Sequence, residues 1–127
     1  MAIHHELPIY KVAYDLSGVC LDFVRNMPRD VKKNIGDRIL DECAAVVDLI
    51  RRANIAQDKA PVIEALLGRL HLAEFYIRLS CDKRLIGRKQ YAAAIALSDR
   101  VGRQASGWKT SSLKRQPHDR QGDHARA

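Results

Sequence analysis

The sequence predicts an all-α protein, an antiparallel up-down-up-down four-helix bundle, on three observations. Apolar residues recur at steps of three and four in four separate stretches, the spacing of one buried helix face. Each stretch is closed by proline, glycine or a short polar run, and short turns make consecutive helices antiparallel neighbours. No stretch alternates apolar and polar residues as a half-buried strand would.

The first stripe runs through Ile9, Val12, Ala13, Leu16, Cys20, Phe23, Val24 and Met27, with Pro8 suited to the first turn. Met27-Pro28 ends it, because proline lacks a donor and drives its predecessor out of helical geometry. A second stripe follows through Val31, Ile35, Ile39, Cys43, Val46, Val47 and Ile50. Arg38–Glu42 and Asp48–Arg52 are spaced to pair on its wet side. Asp58 is the expected N-cap of the third helix, and Pro61 is tolerable in its first turn.

The third helix carries two stripes. Ile63, Leu66, Leu67, Leu70, Ala73 and Ile77 form one; Leu72, Phe75, Tyr76 and Leu79 form another, about half a turn away. A bundle helix has one apolar face to bury within its own chain. A second face is expected to meet another subunit or partner, since large exposed apolar patches are rare on monomers; the competing reading is a helix buried more deeply in its own chain.

Gly87 is the expected N-cap of the fourth helix, with Gln90 at the capping-box position. Its stripe is Tyr91, Ala94, Ile95, Val101, Ala105 and Trp108. Gly102 and Gly107 each weaken the helix by about 1 kcal/mol relative to alanine, which suggests close approach by a neighbouring backbone. The expected helices span about 7–27, 30–54, 59–83 and 88–112, so that 1–113 forms the bundle. Beyond it 114–127 reads as a disordered basic tail, too poor in large apolar residues to offset its ordering entropy.

The chain has 127 residues, 22 Lys plus Arg against 15 Asp plus Glu, and a formal net charge of +7. That excess favours a polyanionic partner. No apolar run is long enough to span a membrane, and MAIHHELPIY at the start has no signal-peptide core, so the expected location is the cytoplasm. Cys20, Cys43 and Cys81 are odd in number and widely spaced, indicating neither a disulfide framework nor a zinc site.

In the expected topology the helix 1–2 and helix 3–4 turns share one end of the bundle. The first brings Arg25, Arg29, Lys32 and Lys33; the second brings Lys83, Arg84, Arg88 and Lys89. Asp22, Asp30 and Asp82 oppose these eight cations, leaving about five net positive charges. Arg29, Lys32, Lys33 and Arg88 or Lys89 sit at helix starts, where the macrodipole disfavours a cation by some tenths of a kcal/mol. A phosphate-bearing partner accounts for such placement; turns decorated for solubility are the plain alternative. The segment from Lys109 onward adds Lys109, Lys114, Arg115, Arg120 and Arg126 against Asp119 and Asp123.

Catalytic constellations are missing from the sequence. Asp37, Asp41, Glu42 and Asp48 share a helix without the E-x-x-H partner of a carboxylate metal site, and Glu74 is followed three residues later by Ile77. His4 and His5 are adjacent, His118 and His124 fall in the tail, and His71 is alone on its helix, a surface or packing residue. There is no phosphate-cradling glycine loop and no G-x-S-x-G elbow. Tyr10, Tyr14, Tyr76, Tyr91 and Trp108 are able to stack on bases, but their helical spacing favours core or interface positions. The expectation is a non-enzyme without metal or cofactor.

LPIYKVAYDL at 7–16, the proline break before NIGDRI at 34–39, FYIRL at 75–79 and VGRQASGW at 101–108 together resemble the four-helix-bundle proteins related to Avd. Avd is the accessory variability determinant of diversity-generating retroelements. The wider family includes proteins encoded in intervening sequences of bacterial large-subunit rRNA genes. The resemblance covers roughly residues 5–113. It implies a homopentameric barrel of bundles with a basic surface that binds the retroelement reverse transcriptase, RNA and DNA in support of mutagenic retrohoming. It also implies a partner-binding role for Arg78 in FYIRL. The rRNA-intervening-sequence branch implies instead a structural or protein-interaction module without nucleic-acid function.

Overall fold

The computed structural model describes residues 3–115, and they are all-helical, with no strand among the described residues. A 3-10 turn at His4–Glu6 leads into α1 (Pro8–Arg25). The second helical stretch opens with a turn at Arg29–Val31, passes through a π-helical turn at Lys32–Gly36 and continues as α2 (Asp37–Ile55). Then come α3 (Ala60–Asp82) and α4 (Arg88–Lys114). Each helix packs on its neighbours in sequence and α4 closes against α1, leaving α1 and α3 on opposite corners of a four-helix bundle. The expected tail at 116–127 lies outside the described residues.

Apolar spacing accounts for the core. All eight residues of the α1 stripe are buried. Ile39, Cys43, Val46 and Ile50 of α2 face them, with Val31, Ile35 and Val47 half-buried at the margin. Ile63, Leu66, Leu70, Ala73 and Ile77 of α3 and Ala94, Val101 and Ala105 of α4 complete the interior. Burying a Leu, Ile or Phe side chain is worth roughly 1.5–3 kcal/mol, and Leu16, Phe23, Ile39, Ile50, Ile63, Leu66, Leu70 and Ile77 are all fully enclosed. The small residues Ala94 and Ala105 of α4 lie at the centre of its contact, with Tyr91, Ile95, Leu97 and Trp108 packing against the core from its margins.

The helix ends depart from expectation in instructive ways. Asp58 does not cap α3: Lys59 holds the N-cap position without a side-chain cap, and Pro61 occupies the first turn. Lys59 serves the preceding helix instead. Its ammonium donates to the carbonyl oxygens of Ala53, Asn54 and Ala56 at 2.8, 3.1 and 2.9 Å, a cationic cap on the carbonyl end of α2. At α4 the Gly87 N–H donates to Gln90 Oε1 at 2.7 Å, half of a capping box, since glycine offers no side-chain oxygen for the reciprocal bond.

The end of α3 forms a Schellman turn: Leu85 N–H bonds Ser80 O at 2.8 Å and Arg84 N–H bonds Cys81 O at 3.0 Å. The left-handed position this motif requires, with φ of 60°, is filled by Arg84. It is the only non-glycine residue with positive φ among the described residues.

Two further expectations are corrected. Glu42 does not pair with Arg38 but with Arg69 of α3, whose Nε lies 2.8 Å from Glu42 Oε1. Glu42 turns inward, 7% exposed, where only the facing helix can reach it. That N–H is not aimed at the oxygen, so Oε1 is held by charge rather than by a directed hydrogen bond. Asp48 pairs with Arg52 as spaced, and with Arg51 as well. Gly102 and Gly107 admit no neighbouring backbone: a Cβ at Gly102 would meet only the Leu70 side chain at 3.5 Å, and one at Gly107 nothing within 4 Å. The close approach is at Gly36, where a Cβ would stand 2.8 Å from Val24 Cγ1.

Candidate nucleic-acid and partner interface

The antiparallel arrangement brings the end of α1, the start of the second helical stretch, the end of α3 and the start of α4 to one end of the bundle. Arg25, Arg29, Lys33, Lys83, Arg84, Arg88 and Lys89 are exposed there and Lys32 is half-buried. Arg25 is partly neutralised by Asp22, 3.0 Å away on the exposed face of α1. Among the described residues, none of the other seven is in an ion pair within 4 Å. Unpaired cations this numerous raise the local potential and attract polyanions. A cleft of about 410 Å³ opens between the two sides of the α3–α4 turn, lined by Cys81, Asp82, Arg84, Ile86, Gly87 and Arg88. The Schellman turn sets Arg84 on its wall.

Arg78 lies one turn before the end of α3, exposed, with Nε 3.9 Å from Asp82 Oδ2. Such a long, solvated contact holds the guanidinium weakly and leaves its donors available. On the same helix Phe75 is 57% exposed and Leu72 37%, while Tyr76 and Leu79 are half-buried. The second stripe of α3 is therefore only partly absorbed into its own chain: Tyr76 packs against the core, whereas Leu72 and Phe75 stay exposed. Phe75 and its neighbour Tyr76 meet edge to face at 5.3 Å between ring centroids.

The remaining candidates separate from this end. Lys109 and Lys114 belong to α4, and the Lys109 ammonium is held 3.0 Å from Glu64 of α3, so it is a cross-helix contact and not a tail cation. Arg120 and Arg126 lie outside the described residues. Glu74, between the two faces of α3, accepts a hydrogen bond from the buried Ser98 hydroxyl of α4. His71 is exposed and lines a groove between α3 and α4 with Glu74, Asp99 and Arg103. Tyr10, Tyr76, Tyr91 and Trp108 are half-buried, whereas Tyr14 is exposed.

Cys20 and Cys43 are buried free thiols facing each other between α1 and α2, and Cys81 is half-buried. The hydrogen bond to Cys43, reinforced by burial, pushes the Cys20 thiol far above its ordinary ionisation range. It is a packing residue rather than a nucleophile. Among the described residues no group of three His, Cys, Asp or Glu side chains is placed to hold a metal ion, and no helix is long and apolar enough to cross a membrane.

Sequence reasoning named Tyr14 as a core or interface residue without placing it on an exposed face of α1, and missed Leu21 on that face. Their spacing of seven was the available signal, masked by the stronger buried stripe of that helix.

Comparison with known proteins matches residues 8–112 to the model of one family, described as bAvd-like. No curated protein and no solved structure matches the chain.

Proposed function

Because the chain belongs to the bAvd-like family, we propose that it is a non-catalytic accessory protein of a diversity-generating retroelement, acting in the cytoplasm. In this reading it assembles as a homopentamer through Leu72, Phe75, Tyr76 and Leu79. It binds the reverse transcriptase together with template RNA and cDNA, in support of mutagenic retrohoming. The single observation that carries the nucleic-acid half is the basic end, where seven of eight gathered cations lack an ion-pair partner among the described residues. Arg25, Arg29, Lys32, Lys33, Lys83, Arg84, Arg88 and Lys89 act by neutralising phosphates, which gives affinity with little base discrimination. Arg78, between the basic end and the apolar stripe, is positioned to hold a carboxylate or phosphate of a partner seated on both.

The test is a filter-binding titration of the full chain on RNA and DNA at 50 and 200 mM salt. Affinity is expected to fall by roughly 10-fold or more for every few phosphates contacted. Arg29→Glu with Lys33→Glu is expected to lower affinity steeply while the helical circular dichroism stays unchanged. Binding that ignores both salt and the charge reversal overturns the nucleic-acid reading.

A further inference from the structure

The end of the bundle opposite the basic one holds a small pocket of its own. Its volume is about 160 Å³, and Gln57, Lys59, Trp108, Ser111, Ser112 and Arg115 line it. Two of the six carry positive charge and none is a carboxylate. The pocket is remote from the cations described above: Trp108 stands about 30 Å along α4 from Arg88, at 1.5 Å per residue. It is well under half the size of the cleft of about 410 Å³ at the basic end, room for a small ion rather than for a nucleobase and its sugar.

Three helix ends meet at this pocket, those of α2 and α4 and the start of α3. Bare carbonyl ends disfavour an anion, but both of these are covered. The three protons of Lys59 Nζ go to Ala53, Asn54 and Ala56, and the Arg115 N–H lies 3.2 and 3.1 Å from the carbonyl oxygens of Ser111 and Ser112. α3 begins after Lys59 without a side-chain cap, which leaves the positive end of its dipole beside the pocket. The side chains point the same way. Ser112 is only 8% exposed, and among the described residues its hydroxyl has no hydrogen-bond partner. A hydroxyl so enclosed costs free energy unless something in the pocket bonds to it. Arg115 is exposed and, among the described residues, in no ion pair, so the planar fork of its guanidinium is available for an oxyanion.

We propose that this pocket binds a phosphate-class oxyanion, either inorganic phosphate or the terminal phosphate of a nucleotide chain. The Ser111 and Ser112 hydroxyls and the Arg115 guanidinium donate to it, and Lys59, whose protons are already engaged, contributes its charge alone. The site differs from the basic end in kind: it takes one compact anion, not a run of phosphodiesters. Trp108 forms a wall of the pocket and is the single tryptophan of the chain, so its fluorescence reports occupancy.

The test is a titration of the full-length protein with sodium phosphate, read by calorimetry and by Trp108 fluorescence, against sodium chloride at matched ionic strength. A saturable phosphate signal is expected, with none from chloride. Ser112→Ala and Arg115→Ala are each expected to weaken binding about 10-fold or more, the loss of one charge-assisted hydrogen bond, with helical circular dichroism unchanged. Arg29→Glu with Lys33→Glu is expected to leave the Trp108 response as it was, so this site stands or falls apart from the nucleic-acid reading. Competition by a dinucleotide carrying a terminal phosphate, and not by its unphosphorylated form, assigns the end of a nucleic-acid chain; competition by neither assigns the free ion. Competition by both overturns the proposal, because the pocket then does not recognise a terminal phosphate. So does the lack of a saturable phosphate signal in both readouts, or phosphate binding that is unchanged in both Ser112→Ala and Arg115→Ala.

Discussion

Among the described residues, Arg84 occupies the one left-handed backbone position, which glycine would fill at lower cost. With φ of 60°, its Cβ crowds the following carbonyl, a penalty of about 1 kcal/mol or more that glycine escapes. The Schellman hydrogen bonds from Arg84 and Leu85 hold it there, so the strain is offset by the turn that encloses it. Strained residues cluster where their side chains have work outside the fold, and Arg84 projects from the wall of the cleft at the basic end. Arg84→Gly is therefore expected to move stability and binding in opposite directions. The urea midpoint should rise by the equivalent of about 1 kcal/mol. The salt dependence of binding to single-stranded RNA should lose about 0.7 from its log–log slope, the share of one phosphate contact. A variant that is stabilised with unchanged binding would show that Arg84 is only a turn residue.

At the scale of the helix, the passage from α1 to α2 is held by a proline break, a π turn and a tight glycine seat. Proline at position 28 breaks the first helix, and the chain re-enters helix through a π turn that widens the backbone at Lys32–Gly36. Gly36 closes that turn against Val24, leaving no room for a methyl group. Gly36→Ala should cost about 1–3 kcal/mol through overpacking, while Gly107→Ala, with open space around it, should gain up to about 1 kcal/mol from helix propensity. Chemical denaturation of the two variants reads the contrast directly, and equal effects would contradict the packing described. The same elements show what a sequence discloses. The buried stripes of all four helices were legible because burial repeats with the helical period, and Pro8, Pro61 and Gly87 mark starts by simple backbone chemistry. Lys59 reaching back to α2, Glu42 turning toward Arg69 and the tight seat at Gly36 were not. Each depends on a distance between helices, which spacing along one helix does not contain. The basic end was legible in composition because topology alone, without side-chain detail, decides which turns share an end.

For the molecule as a whole, the basic end and the exposed apolar faces are separate surfaces, and the proposed assembly would couple them. The cations gather at one end, while the exposed apolar stripes run along the sides of α1 and α3. If the proposed homopentamer closes as a ring in which every subunit points the same way, all the basic ends lie on a single rim. A polyanion then meets several copies at once, and contacts after the first are intramolecular, with avidity 10²–10⁴-fold above that of a single subunit as a typical range. Assembly and nucleic-acid affinity are on this view coupled without any shared residue. Leu72→Ser with Phe75→Ser leaves every charge in place and removes the apolar knobs of α3. Such a chain should sediment as a monomer, bind a long RNA at least about 10-fold more weakly, and show a shallower salt dependence because fewer phosphates are neutralised per complex. On an oligonucleotide short enough to touch one subunit, the variant and the wild type should be indistinguishable. If the monomeric variant keeps wild-type affinity and salt slope on long RNA, the rim plays no part and each basic end acts alone.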